Sequence, residues 1–194
     1  MKRIFIAINL PKEIKEKLRN LEAEIQNSFP MEVGNRVAKW VREDNLHITL
    51  SFIGEVKDGV LPRVCETIER AAKDQEAFDI ILEKTCYGAV NRGVPRLIWV
   101  ETKENSKLKA LAVKLKKELK EQGILRQPDS RPFSGHITLA RVRAWVWQKI
   151  EPEERPDIEK EIKLIFKTKS IDIMESQLKR SGPEYNVLSK IKLS

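Results

Sequence analysis

The tetrapeptide HITL occurs twice in this chain of 194 residues, at positions 47–50 and 136–139. The two copies contain His47 and His136, which are the only histidines in the sequence. Isoleucine and threonine are β-branched and favour a strand. Because side chains alternate between the faces of a strand, each copy predicts a strand with its histidine and threonine on one face and its isoleucine and leucine on the other.

The segments that precede the two copies also follow one order. Each begins with a short apolar run, near Arg3 and near Arg96, and continues with apolar residues at helical spacing. Arg3 precedes the first histidine by 44 positions, and Arg96 precedes the second by 40. This recurrence predicts an internal duplication within a single domain of residues 1–194. The helical positions are Ile14, Leu18, Leu21 and Ile25 in the first half and Leu108, Leu111, Leu115 and Leu119 in the second.

The other segments complete an α+β pattern. The sequence has no Gly/Ser-rich linker between the halves, so we expect one compact unit. The predicted fold has two pseudo-symmetric lobes, each a mainly antiparallel sheet backed by helices, and a central cleft that carries both His-x-Thr-x motifs. The expected elements are strands at 4–8, 38–41, 47–53, 78–82, 96–100, 162–166, 170–178 and 185–193, and a further helix over 58–73.

The charge balance points to an anionic partner. The chain has 37 lysines and arginines against 29 acidic residues, a net charge of +8. Basic residues near phosphates gain affinity by releasing counterions, so RNA, DNA and an anionic membrane surface all fit this charge. The basic residues are spread along the chain, which equally fits a solvated basic surface.

The sequence predicts a cytoplasmic protein. Its N-terminal apolar run ends at the charged Lys12 and is therefore too short for a signal peptide or a membrane span. Cys65 and Cys86 form neither a CxxC pair nor a disulfide framework, so we expect buried, reduced thiols. We expect a monomer that does not act at a membrane.

Two opposed histidines suit phosphodiester cleavage. One neutral imidazole can take a proton from the attacking oxygen while an imidazolium donates a proton to the leaving oxygen. The hydroxyls of Thr49 and Thr138 can donate hydrogen bonds to phosphate oxygens. This scheme needs no metal or other cofactor. A single HITL strand would be an ordinary structural element, and it is the doubling of the motif, with every histidine inside it, that favours chemistry.

Further segments around these motifs carry a family resemblance. They resemble the RNA 2′,3′-cyclic phosphodiesterases, also called 2′-5′ RNA ligases, of the 2H phosphoesterase superfamily, whose signature is two His-x-Thr/Ser-x motifs. The match spans essentially the whole chain. The segments are FIAI from Phe5, WV from Trp40, NLHITL from Asn45, FIGE from Phe52, RPF from Arg131, HITLAR from His136 and GPEY from Gly182.

This resemblance implies hydrolysis of a 2′,3′-cyclic phosphate at an RNA end to a 2′-phosphate. Cyclic phosphates on tRNA halves, on other processed RNA ends and on small nucleotides all fit the same site. It implies that His47 is the proton donor to the departing 3′ oxygen and that His136 is the proton acceptor that activates water. Thr49 and Thr138 would bind the phosphate, and Arg141 would add positive charge and pack on the terminal base. The ligase name implies a reverse reaction that joins a cyclic phosphate to a 5′-hydroxyl.

Three positions leave the geometry open. Strict alternation from His136 puts Arg141 on the core side, so it reaches the cleft only if the strand ends or bulges near Ala140. Phe5 shares the non-core face of its strand and is a candidate for stacking on a base, or equally for packing beneath a loop. The family often has a proline before its second histidine, where this chain has Gly135.

Other functions have weaker support in the sequence. The segment 57–59 (KDG) lacks the intervening residue of a nucleotidyl-transfer lysine motif, and no GxxxxGK[ST] phosphate loop is present. His-x-His spacing, which a histidine-triad hydrolase needs, is absent as well. The alternative that remains is a non-catalytic RNA-binding module with a basic cleft.

Overall fold

The computed structural model describes residues 1–125, 132–180 and 182–194. The elements follow the predicted order. The strands are β1 (Lys2–Asn9), β2 (Ala38–Trp40), β3 (His47–Val56), β4 (Phe78–Gly88), β5 (Leu97–Thr102), β6 (His136–Val142), β7 (Lys160–Thr168), β8 (Ser170–Lys179) and β9 (Gly182–Lys192). The α-helices are α1 (Lys12–Asn27), α2 (Leu61–Ala72), α3 (Ser106–Glu121) and α4 (Ala144–Trp147). Short 3₁₀ helices occupy Gly34–Arg36, Glu43–Asn45, Asp58–Val60 and Pro152–Glu154.

Several boundaries differ from the sequence predictions, and three of them have a visible structural reason. Strand β3 does not end at Gly54 but passes through it to Val56, because this glycine adopts a φ of 88° next to a shift in pairing with β1. The helix predicted from Asp58 starts as a 3₁₀ turn and becomes α-helical at Leu61. Strand β4 extends to Gly88 rather than ending near Leu82, since it pairs with β5 along this extra length.

The nine strands of the described residues form one sheet, and their pairings are all antiparallel. The strand order is β7-β4-β5-β6-β3-β1-β8-β9, and β2 pairs with β6. The first lobe consists of β3, β1, β8 and β9, and the second lobe consists of β6, β5, β4 and β7. The lobes meet where Ile48 of β3 pairs with Ile137 of β6.

Each half of the chain contributes a strand to the other lobe. Strand β4 follows the first HITL copy but pairs with β5 in the second lobe. Strand β8 follows the second copy and pairs with β1 in the first lobe. Neither half of the chain therefore completes its sheet alone.

The sheet separates a hydrophobic core from a polar face. Ile4, Ile6 and Ile8 of β1 pack in one core with the apolar faces of α1, α2 and α3. On the other face of the sheet, Phe5 and Ala7 form a small separate cluster with neighbouring side chains. The alternation predicted for β1 is therefore confirmed. Within the described ranges, no helix has both the length and the apolar character needed to span a membrane.

Candidate active site

The predicted faces of both HITL strands are confirmed. Ile48 and Leu50 in β3, and Ile137 and Leu139 in β6, are buried in the main core. The histidine and threonine of each copy are half-buried on the opposite face. The apolar pair thus anchors each strand, and the polar pair is presented away from the helices.

The junction between the lobes brings the two polar pairs together. Because β3 and β6 run antiparallel with Ile48 opposite Ile137, the register places Thr138 across from His47 and His136 across from Thr49. His47 and His136 are therefore diagonal neighbours on one face of the sheet, and the charge of a protonated His136 disfavours the imidazolium form of His47. A phosphate above this junction would meet groups from both lobes.

A hydrogen bond to the backbone just before β3 holds His47 in one tautomer. Its Nδ1 donates to the carbonyl oxygen of Asn45 at 2.6 Å, and its Nε2 lies 3.0 Å from Oγ1 of Thr49. Burial lowers the pKa of His47 from 6.5 to about 4, and the positive charges of His136 and Lys15 lower it further, against the raising effect of the Asn45 carbonyl. The ring is therefore neutral at neutral pH, with Nε2 directed to the site.

His136 has the equivalent backbone contact. Its Nδ1 donates to the carbonyl oxygen of Ser134 at 2.9 Å, so each histidine is oriented by the residue two positions before it. At Gly135, where the family often has a proline, a Cβ would lie 2.4 Å from Oγ1 of Thr102, so a larger residue would displace that side chain. The Thr102 amide and hydroxyl both donate to the Gly135 carbonyl. This glycine thus has a fixed place beside the site.

Both HITL strands contain a bulge at the leucine of the motif. Pairing shifts by one residue at Leu50 against β1 and at Leu139 against β5, so the next residues, Ser51 and Ala140, are also buried. The condition stated for Arg141 is met, because a bulge at this point returns Arg141 to the histidine face, where it is exposed.

The same bulge in β3 presents an aromatic side chain that the sequence analysis did not single out. Phe52 takes the position in the first copy that Arg141 takes in the second, and it is 70% exposed. The pseudo-symmetric pair is therefore one guanidinium and one exposed ring. Comparing HITLSF with HITLAR and applying the bulge argument to both copies would have identified it.

Phe5 lies on the predicted face but is only 3% exposed. Its ring centroid lies 5.0 Å from that of His47, 5.0 Å from that of Tyr185 and 6.1 Å from that of Phe52. A base could not lie on this ring without displacing those neighbours. The burial therefore favours packing beneath the site over base stacking for Phe5.

Two further aromatic residues contact the histidines. Tyr185 packs edge-on against His47, with ring centroids 5.3 Å apart. Trp99 lies against His136 at 4.5 Å and donates from Nε1 to Sγ of Cys86. The alternation that placed Phe5 on the active-site face also applies to β5 and would have identified Trp99. Tyr185 ends the GPEY segment of the family resemblance, but its strand is distant in sequence, and no local pattern places it beside His47.

Residues for a metal site are not grouped in the described part of the chain, which has no cluster of three or more His, Cys, Asp or Glu side chains suited to a metal ion. Arg131, which is part of the family resemblance, lies outside the described residues.

Comparisons with known proteins identify the family. A family model described as LigT like Phosphoesterase matches residues 8–99. The RNA 2′,3′-cyclic phosphodiesterase of Thermotoga maritima is 30% identical over 191 residues, covering 96% of this chain and 92% of the relative. The chain belongs to the LigT-like phosphoesterase family. A protein of the same name from Thermus thermophilus is 31% identical over 195 residues, covering 98% of this LigT-like chain and 90% of the relative.

Solved structures agree with this LigT-like assignment. The crystal structure of TT0787 of Thermus thermophilus superposes with a TM-score of 0.80 at 29% identity, covering 98% of this chain and 97% of that one. E. coli LigT in complex with 3′-AMP gives a TM-score of 0.74 at 26% identity, covering 100% and 98%. The resemblance and the α+β fold predicted from the sequence are thereby confirmed, and the protein is an enzyme of the phosphoesterase class.

Proposed function

We propose that this LigT-like phosphoesterase hydrolyses 2′,3′-cyclic phosphates at RNA ends to 2′-phosphates. The observation that carries the proposal is the grouping of two His-Thr pairs around the Ile48–Ile137 junction. Relatives named RNA 2′,3′-cyclic phosphodiesterase and the LigT complex with 3′-AMP support the same substrate class.

In this reaction the two histidines exchange protons with two oxygens on opposite sides of the phosphorus, the attacking water and the leaving 3′ oxygen. His136 accepts a proton from water through Nε2 as the water oxygen bonds to phosphorus. The bond from phosphorus to the 3′ oxygen breaks, and that oxygen receives a proton from Nε2 of His47. Thr49 and Thr138 donate hydrogen bonds to the non-bridging oxygens and hold the phosphate in line.

The donor role of His47 depends on the bound substrate. Its imidazole is neutral in the free protein because burial lowers its pKa. A phosphate anion beside the ring favours the imidazolium and raises that pKa, so substrate binding supplies the condition for proton donation. Arg141 adds a further positive charge on the same face and would pack on the terminal base.

A ligase reaction would use the same site with a different nucleophile. A 5′-hydroxyl would take the place of water, and the 3′ oxygen would leave as the 2′-5′ bond forms, with the same proton transfers. The non-catalytic RNA-binding alternative is disfavoured by membership of an enzyme family. We further infer that the enzyme acts as a cytoplasmic monomer on RNA ends such as tRNA halves. The two cysteines, both unpaired, fit a reducing compartment.

Turnover of a short RNA that ends in 2′,3′-cyclic phosphate tests the proposal. We expect ring opening to a 2′-phosphate with a chelator present, because every proton transfer uses a side chain of this protein. His47→Ala and His136→Ala should each lower kcat by about 10²–10⁴-fold, the usual contribution of one acid or base. Product analysis should distinguish the 2′-phosphate, the 3′-phosphate and joined RNA. If neither variant slowed the reaction, the two-histidine mechanism would be wrong.

A further inference from the structure

A second group of cationic and phenolic side chains lies beside the catalytic histidines. Arg3 on β1, Ser176 on β8 and Tyr185 on β9 form one row across three adjacent strands. Arg3 shares the face of Phe5, because the residues of β1 alternate. Tyr185 contacts both Phe5 and His47, so this row borders the active site.

Positive charges from both lobes act on the Tyr185 phenol. Burial raises the pKa of Tyr185, and the nearby guanidiniums of Arg141 and Arg3 counteract this effect. Both arginines are exposed. Within the part of the chain that the structure describes, neither forms an ion pair with a carboxylate. Two guanidiniums and a phenol hydroxyl provide the donors that a phosphate anion requires.

The segment that carries Tyr185 is hydrogen-bonded to a residue next to His47. Nδ2 of Asn45 donates to the carbonyl oxygen of Pro183 at 2.8 Å, and the carbonyl of the same asparagine accepts from His47. A Cβ at Gly182 would lie 3.1 Å from Nζ of Lys39, so a third basic side chain reaches the start of β9. The start of the strand that carries Tyr185 is thus tied to the residue that orients His47.

Arg3 lies too far along its strand to serve the reacting phosphate. His47 pairs with Asn9 of β1. Asn9 lies six residues from Arg3, which corresponds to about 20 Å between the Cα atoms of Arg3 and Asn9. His136 and Thr138 lie farther still, on the other side of β3. Arg3 would therefore meet a group next to the reacting phosphate in the substrate, and Tyr185 lies between Arg3 and His47.

We propose that Arg3 and Tyr185 form a subsite for the phosphodiester on the 5′ side of the terminal nucleotide. The inference rests on the proposed function, and it adds that the enzyme prefers an RNA chain to a cyclic mononucleotide. A mononucleotide lacks this second phosphate and so makes no use of the subsite.

The test compares adenosine 2′,3′-cyclic phosphate with the dinucleotide ApA that ends in the same cyclic phosphate. We expect the wild type to have a higher kcat/KM for the dinucleotide. Arg3→Gln should lower this preference about five- to tenfold, and Tyr185→Phe should lower it about threefold while keeping the ring in place, since hydrogen bonds to charged groups are lost. Arg63→Gln, on the exposed side of α2, is the matched control and should leave the preference unchanged.

Salt provides a second readout of the same subsite. The dinucleotide preference of the wild type should fall as salt rises, and Arg3→Gln should flatten this dependence. The proposal is overturned if Arg3→Gln lowers kcat/KM equally for both substrates or for neither. A wild type that opens neither substrate would instead contradict the proposed function. In that case, calorimetric binding of ApA 2′-phosphate against adenosine 2′-phosphate, in wild type and Arg3→Gln, still decides whether the subsite exists.

Discussion

His47 is surrounded by groups that favour its neutral form. The rings of Phe5 and Tyr185 exclude water from the imidazole, and nearby positive charges act in the same direction. Because its folded-state pKa is lower than its ordinary value, protonation works against folding. The stability that this residue contributes is present above pH 6.5 and is lost as the pH falls through about 4.

We expect the His47 imidazole of the free protein to titrate near pH 4. Adding inorganic phosphate should raise its pKa, because a nearby anion favours the imidazolium. NMR titration of the histidine side chains measures both values, and a His136→Gln variant assigns the signals, since it leaves one histidine. Titration of His47 at its ordinary pKa in phosphate-free protein would contradict the burial argument.

The histidine and threonine positions were predictable because strand alternation is a local rule. The same rule gave the wrong face for Arg141 unless a bulge intervened, and the bulge depends on pairing with a neighbouring strand. Tyr185 could not be placed from local sequence, because β9 reaches His47 through tertiary contacts. The strand face of the histidines and threonines was therefore easier to predict than the side chains that surround them.

At the scale of elements, each histidine strand is supported by an aromatic residue from the adjacent strand of its own lobe. In the second lobe this residue is Trp99 of β5, whose indole lies flat against Gly88 of β4. A Cβ at position 88 would lie 2.4 Å from the indole ring, so only glycine lets Trp99 adopt this position. Through Trp99, strand β4 thus influences the position of the His136 ring without contacting it.

Gly88→Ala should lower kcat about tenfold, because the added methyl group displaces Trp99 and thereby shifts His136, and misplaced catalytic groups lose rate steeply. Gly59→Ala is the matched control, since a Cβ at Gly59 meets nothing within 4 Å. Rates for the cyclic-phosphate RNA, measured well below the melting temperature of each variant, make the comparison. Equal rates in the two variants would exclude this positioning role for Trp99.

At the scale of the whole molecule, the strands that flank the two HITL copies occupy equivalent places in the strand order, with a shift of one residue from the match made in the sequence. Phe5 and Leu97 are structurally equivalent, because they pair with equivalent positions of the two HITL strands. This alignment differs by one residue from the alignment that matches Arg3 with Arg96. The exchange of β4 and β8 between lobes could not be predicted, because sequence periodicity identifies strands but not their partners. A common origin of the halves remains a prediction.

The junction of the lobes controls the distance between the two histidines. Ile48 and Ile137 are fully buried, and theirs is the only β3–β6 pairing recorded in the described ranges. A cavity at this point would loosen the contact that holds His47 and His136 in one site. A cavity elsewhere in the core would reduce stability without changing that distance.

Ile137→Ala should therefore lose both stability and activity, whereas Ile80→Ala should lose stability alone. Ile80 is equally buried but lies in β4, away from the junction. Each variant should lose about 2–5 kcal/mol of unfolding free energy, measured by urea denaturation. We expect kcat to fall about tenfold or more only in Ile137→Ala, under conditions where both variants are folded, because proton transfer to and from one phosphate requires both histidines at fixed positions. Equal kcat values in the two variants would show that the lobes keep their geometry without this pair.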